Sequence, residues 1–256
     1  MIADTAIISP KARLGRNVRV GPFTIIHDNV EIADNTSIGS HCEIGIESEL
    51  SDKSPLQIGS DSLIRSHSVF YESSTFGKNL VTGHSVLVRE NTHAGIGLQI
   101  GSMGDFQGHC SIGDHVKTQS NVFIAQGSVL KNYIWLLPYT VLTNDPHPPS
   151  DVVKGVILED FVVIAAMSVV LPGVTVAKGV LVGANSTVRD NPEKDTVVVG
   201  SPAKTICKTN KIKLKDGSDL PAYPWRRHFH RGYPEEVVKE WLNSVNDLDL
   251  NDYDIS

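Results

Sequence analysis

Several polar residues of this chain fall into line when the sequence is stepped by eighteen. Asn144 lies eighteen residues after Gln126, thirty-six after Gly108 and fifty-four after Glu90. The adjoining series runs Asp145, Gly127, His109 and Asn91. If eighteen residues make one turn of a coil, each series is a vertical column. One corner then carries carboxamides, carboxylates and an imidazole beside glycines that leave space. Such groups donate to and accept from hydroxyls, so they can grip a sugar. Tight corners also favour Asn, Asp and Gly for their backbone geometry alone. What favours binding for Asn144 and Asp145 is their place just before a proline-rich stretch. His84 is the other candidate, beside Thr82, a polar residue in an otherwise apolar series. His109 and His115 are six apart, which puts them on different faces. Three rings do not converge within one chain, and no metal site is expected.

The columns depend on a beat of six. From Ile58 to Leu142 every sixth residue is apolar except Thr82 and Thr118, and four positions later comes a second inward residue, usually small. That period fits neither a helix nor an alternating strand. It predicts a solenoid whose turns share one core. Each six-residue unit turns the chain through a third of a circle, so three units close a coil. The beat begins at Ile2 and slips over residues 46–57, a small loop on one corner. It slips again near 143–157, where Pro146, Pro148 and Pro149 forbid sheet pairing. Excursions from a solenoid often mark its binding face. The beat resumes from Leu158 to Val188, and DNPEKDTVVVGSPAK caps the open edge. Residues 1–204 are thus read as the solenoid and 205–256 as an extension. The extension holds a hairpin at its DG turn and a helix opened by Pro234. Its stretch YPWRRHFHRGYP either stacks on a nucleobase or caps an adjacent subunit through Trp225 and Phe229; the cap is favoured.

The 256 residues carry a net charge of -6 with no long basic run, which argues against nucleic acid. Aromatics, at 6%, suit narrow coils. Cys42, Cys110 and Cys207 form no paired motif, and the first two occupy inward slots. The longest apolar run, 162–176, is too short to span a bilayer and contains Pro172. No basic-then-apolar leader opens the sequence. A cytoplasmic, reduced, soluble protein is expected.

The unit [LIV]-[GA]-x-x-[STAV]-x, the run VVIAAMSVVLPGVTVAKGVLVGANSTV and the closing VVVGSPAK resemble the hexapeptide-repeat acyltransferases. The resemblance implies an all-β left-handed parallel β-helix of about ten coils. Handedness rests on the resemblance, since ordinary parallel crossovers are right-handed. TGHSVLVRE, NVFIAQGSVL and LTNDPHPP resemble a narrower group, which acetylates the amine of nucleotide-linked amino sugars such as dTDP-3-amino-3,6-dideoxyhexoses. That likeness implies acetyl-CoA as co-substrate, surface-polysaccharide synthesis, and a homotrimer with ligands between prisms. Asn144 and Asp145 match the group's Asn-Asp pair near the sugar, whereas Gln126 stands where the group has an acid. Glu90, Gln126, Asn144 and His109 are the expected substrate contacts, and His84 and Asp145 the expected catalytic groups. Some members use no protein base, the departing CoA sulfur taking the proton. The resemblance places CoA along Ala165, Ala166, Gly183 and Ala184, with Lys204 near its phosphates. O-acetylation, a longer acyl donor, or a non-catalytic binding module are the alternatives.

Overall fold

The computed structural model describes residues 1–225 and 233–246, with backbone alone for 242–246. Residues 7–188 wind as a left-handed parallel β-helix. Three sheets form the walls of the prism: sheet I starts at Ile7–Ile8, sheet II at Arg13–Leu14 and sheet III at Arg19–Val20. They hold ten, nine and eleven strands respectively. Most strands are two residues long, the first facing out and the second buried. The buried residues are the beat of six, stacked from Val20 to Val198 as one core.

At most corners the backbone turns left-handed three residues after the inward residue of the beat. Asn17, Asn35, Asn79 and Asn121 take this position, but so do His41, Tyr133 and Met167. Non-glycine residues rarely adopt this conformation. Here the hydrogen bonds between storeys impose it at corner after corner, as where the Asn121 N–H donates to Ser102 O at 2.9 Å.

Register fixes the columns. Ile124 pairs with Leu142, and Phe106 with Ile124, each eighteen residues apart. The two slips sit on one corner, between sheets I and II. Ile44 of sheet I and Ile58 of sheet II are successive steps fourteen residues apart, so eight are extra. Leu142 and Leu158 are likewise successive and sixteen apart, so ten are extra. The second excursion closes at its base, where the Lys154 N–H donates to Asn144 O at 2.8 Å.

An antiparallel hairpin, Thr196–Gly200 with Ala203–Lys208, covers the end of sheet III. It runs across residue 204. A short turn follows, with Lys213 bridging Pro221. The helix Glu235–Asn246 then lies against the corner between sheets II and III. There His115, Tyr133 and Phe161 stack in successive storeys, and Trp225 and Trp241 pack on them. Trp225 therefore caps its own prism, because the partner surface expected on an adjacent subunit is supplied by this corner. Phe229 and the side chains of Leu242 and Val245 lie outside the described residues. Cys42 and Cys110 are buried, as the inward slots require. Among the described residues no helix is long and apolar enough to cross a membrane.

Candidate functional site

The corner between sheets I and II carries the predicted polar columns. Asn144 stands one storey above Gln126, and its Nδ2 donates to the Gln126 carbonyl at 3.1 Å. The Gln126 side chain is half-buried, and Gly127 and His109 are exposed beside it. Gly155 closes the excursion against this column. A Cβ there would meet Gly127 O at 2.0 Å, so only glycine lets the two backbones approach.

Two acids of this corner are occupied by structural tasks. Asp145 accepts from the His147 N–H (3.2 Å), the Ser150 N–H (3.3 Å) and the Ser150 hydroxyl (2.8 Å), shaping the excursion. Glu90 is buried and accepts from Arg89 at 2.9 Å.

The first excursion reaches the same corner from below, which the sequence reading did not anticipate. Its anchor is Glu72, a buried carboxylate. Glu72 accepts from the Ser51 hydroxyl (2.5 Å), Lys53 Nζ (3.0 Å), the Ser48 N–H (3.2 Å) and Asn29 Nδ2 (3.4 Å). Burial alone would raise its pKa, but these donors outweigh it and hold the group below its ordinary value. The pinned loop grips Asn91. The Asp52 N–H donates to Asn91 Oδ1 at 3.4 Å, and Asn91 Nδ2 donates to Leu50 O at 3.1 Å. Asn91 Nδ2 also lies 3.3 and 3.4 Å from the ring nitrogens of His109. A signal for this existed. Ile44 and Leu142 are ninety-eight residues apart; less the eight extra, ninety remain, five turns of eighteen.

His84 stands elsewhere, exposed on the corner between sheets III and I, two residues after Thr82. Stepping up that corner from His84 gives Ser102, Ser120, Pro138, Ala166 and Ala184. One chain thus separates His84 from Asn144 and Asp145 by the width of sheet I and by three storeys of height. The His84 corner instead holds the residues expected along CoA. Ala184 is exposed and Ala165 and Ala166 are half-buried, so this edge carries small side chains. Gly183 is small for another reason: a Cβ there would meet Val199 Cγ1 at 2.3 Å. Lys204 is an exposed cation at this end of the prism, 3.8 Å from Asp190. Among the described residues no group of three metal-ligating side chains converges.

The family description "Bacterial transferase hexapeptide (six repeats)" matches residues 11–45. A 2,3,4,5-tetrahydropyridine-2,6-dicarboxylate N-acetyltransferase of Staphylococcus aureus is 36% identical over 38% of this chain and 34% of its own length. This chain thus spans about a third of that relative. A putative lipopolysaccharide biosynthesis O-acetyl transferase of Escherichia coli is 27% identical over 49% of this chain and 73% of its own. In fold, the Arabidopsis UDP-N-acetylglucosamine acyltransferase is similar over 100% of this chain and 92% of its own, with a TM-score of 0.54 and 18% identity. The matched repeat and the named acetyltransferases make this chain similar to the hexapeptide-repeat transferases, and the solved structure is alike in fold.

Proposed function

We propose that this protein transfers an acyl group, acetyl in the simplest case, from acyl-CoA to the amine of a nucleotide-linked amino sugar. A dTDP-linked amino-deoxy sugar is the acceptor of choice. The observation that carries this reading is the stack of Gln126 and Asn144 at the foot of the second excursion. Two carboxamides offer donors and acceptors to ring hydroxyls without adding charge. The relatives named as acetyltransferases support the transferred group. The name of the Escherichia coli relative supports a role in surface-polysaccharide synthesis, and both co-substrates point to the cytoplasm.

In the reaction the neutral amine nitrogen bonds to the thioester carbonyl carbon and the carbon–sulfur bond breaks. The amine's surplus proton goes to the departing sulfur, giving amide and thiol. Acceptor residues lie on the corner between sheets I and II, donor residues on the corner between III and I. Three copies packed on sheet I about an axis parallel to the prism would bring these corners of neighbours together. The outer face of sheet I suits that contact, with Val69, Leu87, Phe123, Val141 and Val169 along it. Sheet II is more polar over its lower storeys, presenting Arg13, Glu31, Gln57, Thr75, His93 and Ser111 before Val129 and Ile157. Sheet III is covered in part by the chain's own C-terminal segment. A homotrimer with composite sites follows. His84 is then a group orienting the thioester, and Asp145 shapes the acceptor's wall.

The test is thiol release from acetyl-CoA with a dTDP-3-amino-3,6-dideoxyhexose, beside the analogue bearing a hydroxyl in place of the amine. Release with the amine supports the proposal. Release with the alcohol alone favours O-acetyl transfer, a reading supported by Gln126 in the acid's place and by the Escherichia coli relative. No release and no CoA binding would leave a non-catalytic binding module.

A further inference from the structure

The first excursion is fastened from within, and its tip climbs two storeys above its root, from Ile44 to the level of Asn91. Asn91, His109, Gly127 and Asp145 hold the same corner position in four successive storeys. The second excursion leaves the coil at the last of them. The corner is therefore closed from below by one excursion, closed from above by the other, and open at the two storeys between. Storeys repeat at the strand spacing, so about 14 Å separates Asn91 from Asp145. That is room for one pyranose ring with its hydroxyls, and not for two in line.

The open floor carries a glycine that the fold does not require. Gly127 is exposed with a φ of +79°, yet Asn91 and His109 make the same left-handed turn in the same column at +54° and +50°. A Cβ on Gly127 would meet nothing nearer than 3.9 Å. Its neighbours differ: a Cβ on Gly108 would meet Glu90 O at 2.7 Å, and one on Gly155 would meet Gly127 O at 2.0 Å. The bareness of Gly127 thus leaves surface open rather than letting backbones pack. Beside it the Gln126 side chain makes no hydrogen bond among the described residues.

Charge restricts what this floor takes. Asp52 stands in the lower wall and Asp145 in the upper. The Ser54 hydroxyl and N–H donate to Asp52 at 2.6 and 2.9 Å and hold its carboxyl down to about 2. The nearby cations serve other partners: Lys53 pairs with Glu72, Arg89 with Glu90, and Lys154 lies along Gly173, beyond the second excursion. Such a slot repels a phosphate and accepts a polyol or an amine.

We propose that the first excursion is the lower wall of the acceptor slot, and that the bare surface at Gly127 receives the acceptor's sugar ring while its diphosphate stays outside. This rests on the reading of the corner as the acceptor site and adds which part of the acceptor the corner reads.

The experiment measures, by calorimetry on the full-length protein, binding of the dTDP-3-amino-3,6-dideoxyhexose and of dTDP alone. Gly127→Asn fills the slot with a residue that this column already carries at Asn91. It is expected to weaken the amino-sugar nucleotide about tenfold or more, as the loss of one or two hydrogen bonds would. Binding of dTDP and of CoA should stay within a few-fold, and the melting temperature within a few degrees. Asn91→Ala releases the tip of the first excursion. It should quicken amide exchange at residues 50–54 and weaken the amino-sugar nucleotide several-fold, again sparing dTDP; if Gly127→Asn does not fold, this arm decides alone. Equal losses for dTDP and its sugar conjugate would put the nucleotide in the slot and overturn the proposal. So would unchanged sugar binding in Gly127→Asn, or quicker exchange with unchanged binding in Asn91→Ala. In those cases a raised KM in Asn144→Ala still upholds the acceptor reading. If the parent neither binds the conjugate more tightly than dTDP nor acylates an amine, both fall.

Discussion

The side chain of Asn144 spans one storey of the prism to the backbone carbonyl of Gln126, 3.1 Å away. This bond joins the foot of an irregular ten-residue excursion to the regular coil beneath it. It also holds the Asn144 carboxamide one storey above Gln126 on the same corner. The contact is structural, and under the proposed acceptor reading its loss should change stability and turnover by different amounts.

Asn144→Ala removes one bond between half-exposed groups. Such bonds contribute about 1 kcal/mol to stability. The melting temperature should fall by only a few degrees, while kcat/KM for the amino sugar falls about tenfold or more, mainly through KM. Calorimetry and steady-state kinetics on one preparation check both. An unchanged KM would remove Asn144 from the acceptor site.

Much of this geometry was legible in the sequence, for a physical reason. A strict repeat converts position along the chain into height on the prism, so Gln126 under Asn144 needed only subtraction. The buried columns and both slips were legible in the same way. Contacts made by irregular segments were not. The grip of residues 50–52 on Asn91 depends on how eight extra residues fold back, and no period encodes that. The seat of Trp225 was missed similarly. Its partners Tyr133 and Phe161 occupy corner positions elsewhere taken by Asn or Gly, and nothing local marks them as a docking ladder.

Glu72 should act as the fastening of the first excursion. Its folded pKa is depressed, so its contribution is fully present above about 4.5 and is lost as pH falls through the folded value. Amide exchange at residues 48–54 should therefore quicken in acid before the coils open. Glu72→Gln should reproduce that at neutral pH, with a cost of about 1–3 kcal/mol for the unmatched buried donors. Exchange that tracks global unfolding in both cases would refute the fastening.

Lys117 gives a prediction with the same sign of slope in a higher pH window. It is buried beneath the C-terminal segment, its ammonium 3.7 Å from the centre of the Tyr233 ring and 5.2 Å from that of Trp135. Desolvation depresses its pKa to about 8 from 10.5. The unfolded chain thus binds more protons than the folded one between those values, and stability should rise with pH across that window. Lys117→Met keeps the stem's packing and removes the charge. The variant should be at least as stable as the parent at pH 7 and should lose the rise between about 8 and 10.5. Thermal melts at several pH values check this. A Lys117→Met protein much less stable than the parent would show that attraction to the rings outweighs desolvation.

The separation of the two corners supplies the sharpest test of the composite site. His84 and Asn144 lie at opposite edges of sheet I in one chain. If each site takes one corner from each of two neighbours, defects at the two corners reside in different halves. His84→Ala trimers and Asn144→Ala trimers should each be impaired in every site. Mixed trimers, formed by unfolding and refolding the two variants together, should contain some sites with both corners intact. Activity of the mixture should then exceed that of either parent refolded alone, and size-exclusion chromatography should show the same trimer mass throughout. A mixture no more active than the average of its parents would mean that the corners do not meet across subunits. The outer face of sheet I would then need another partner.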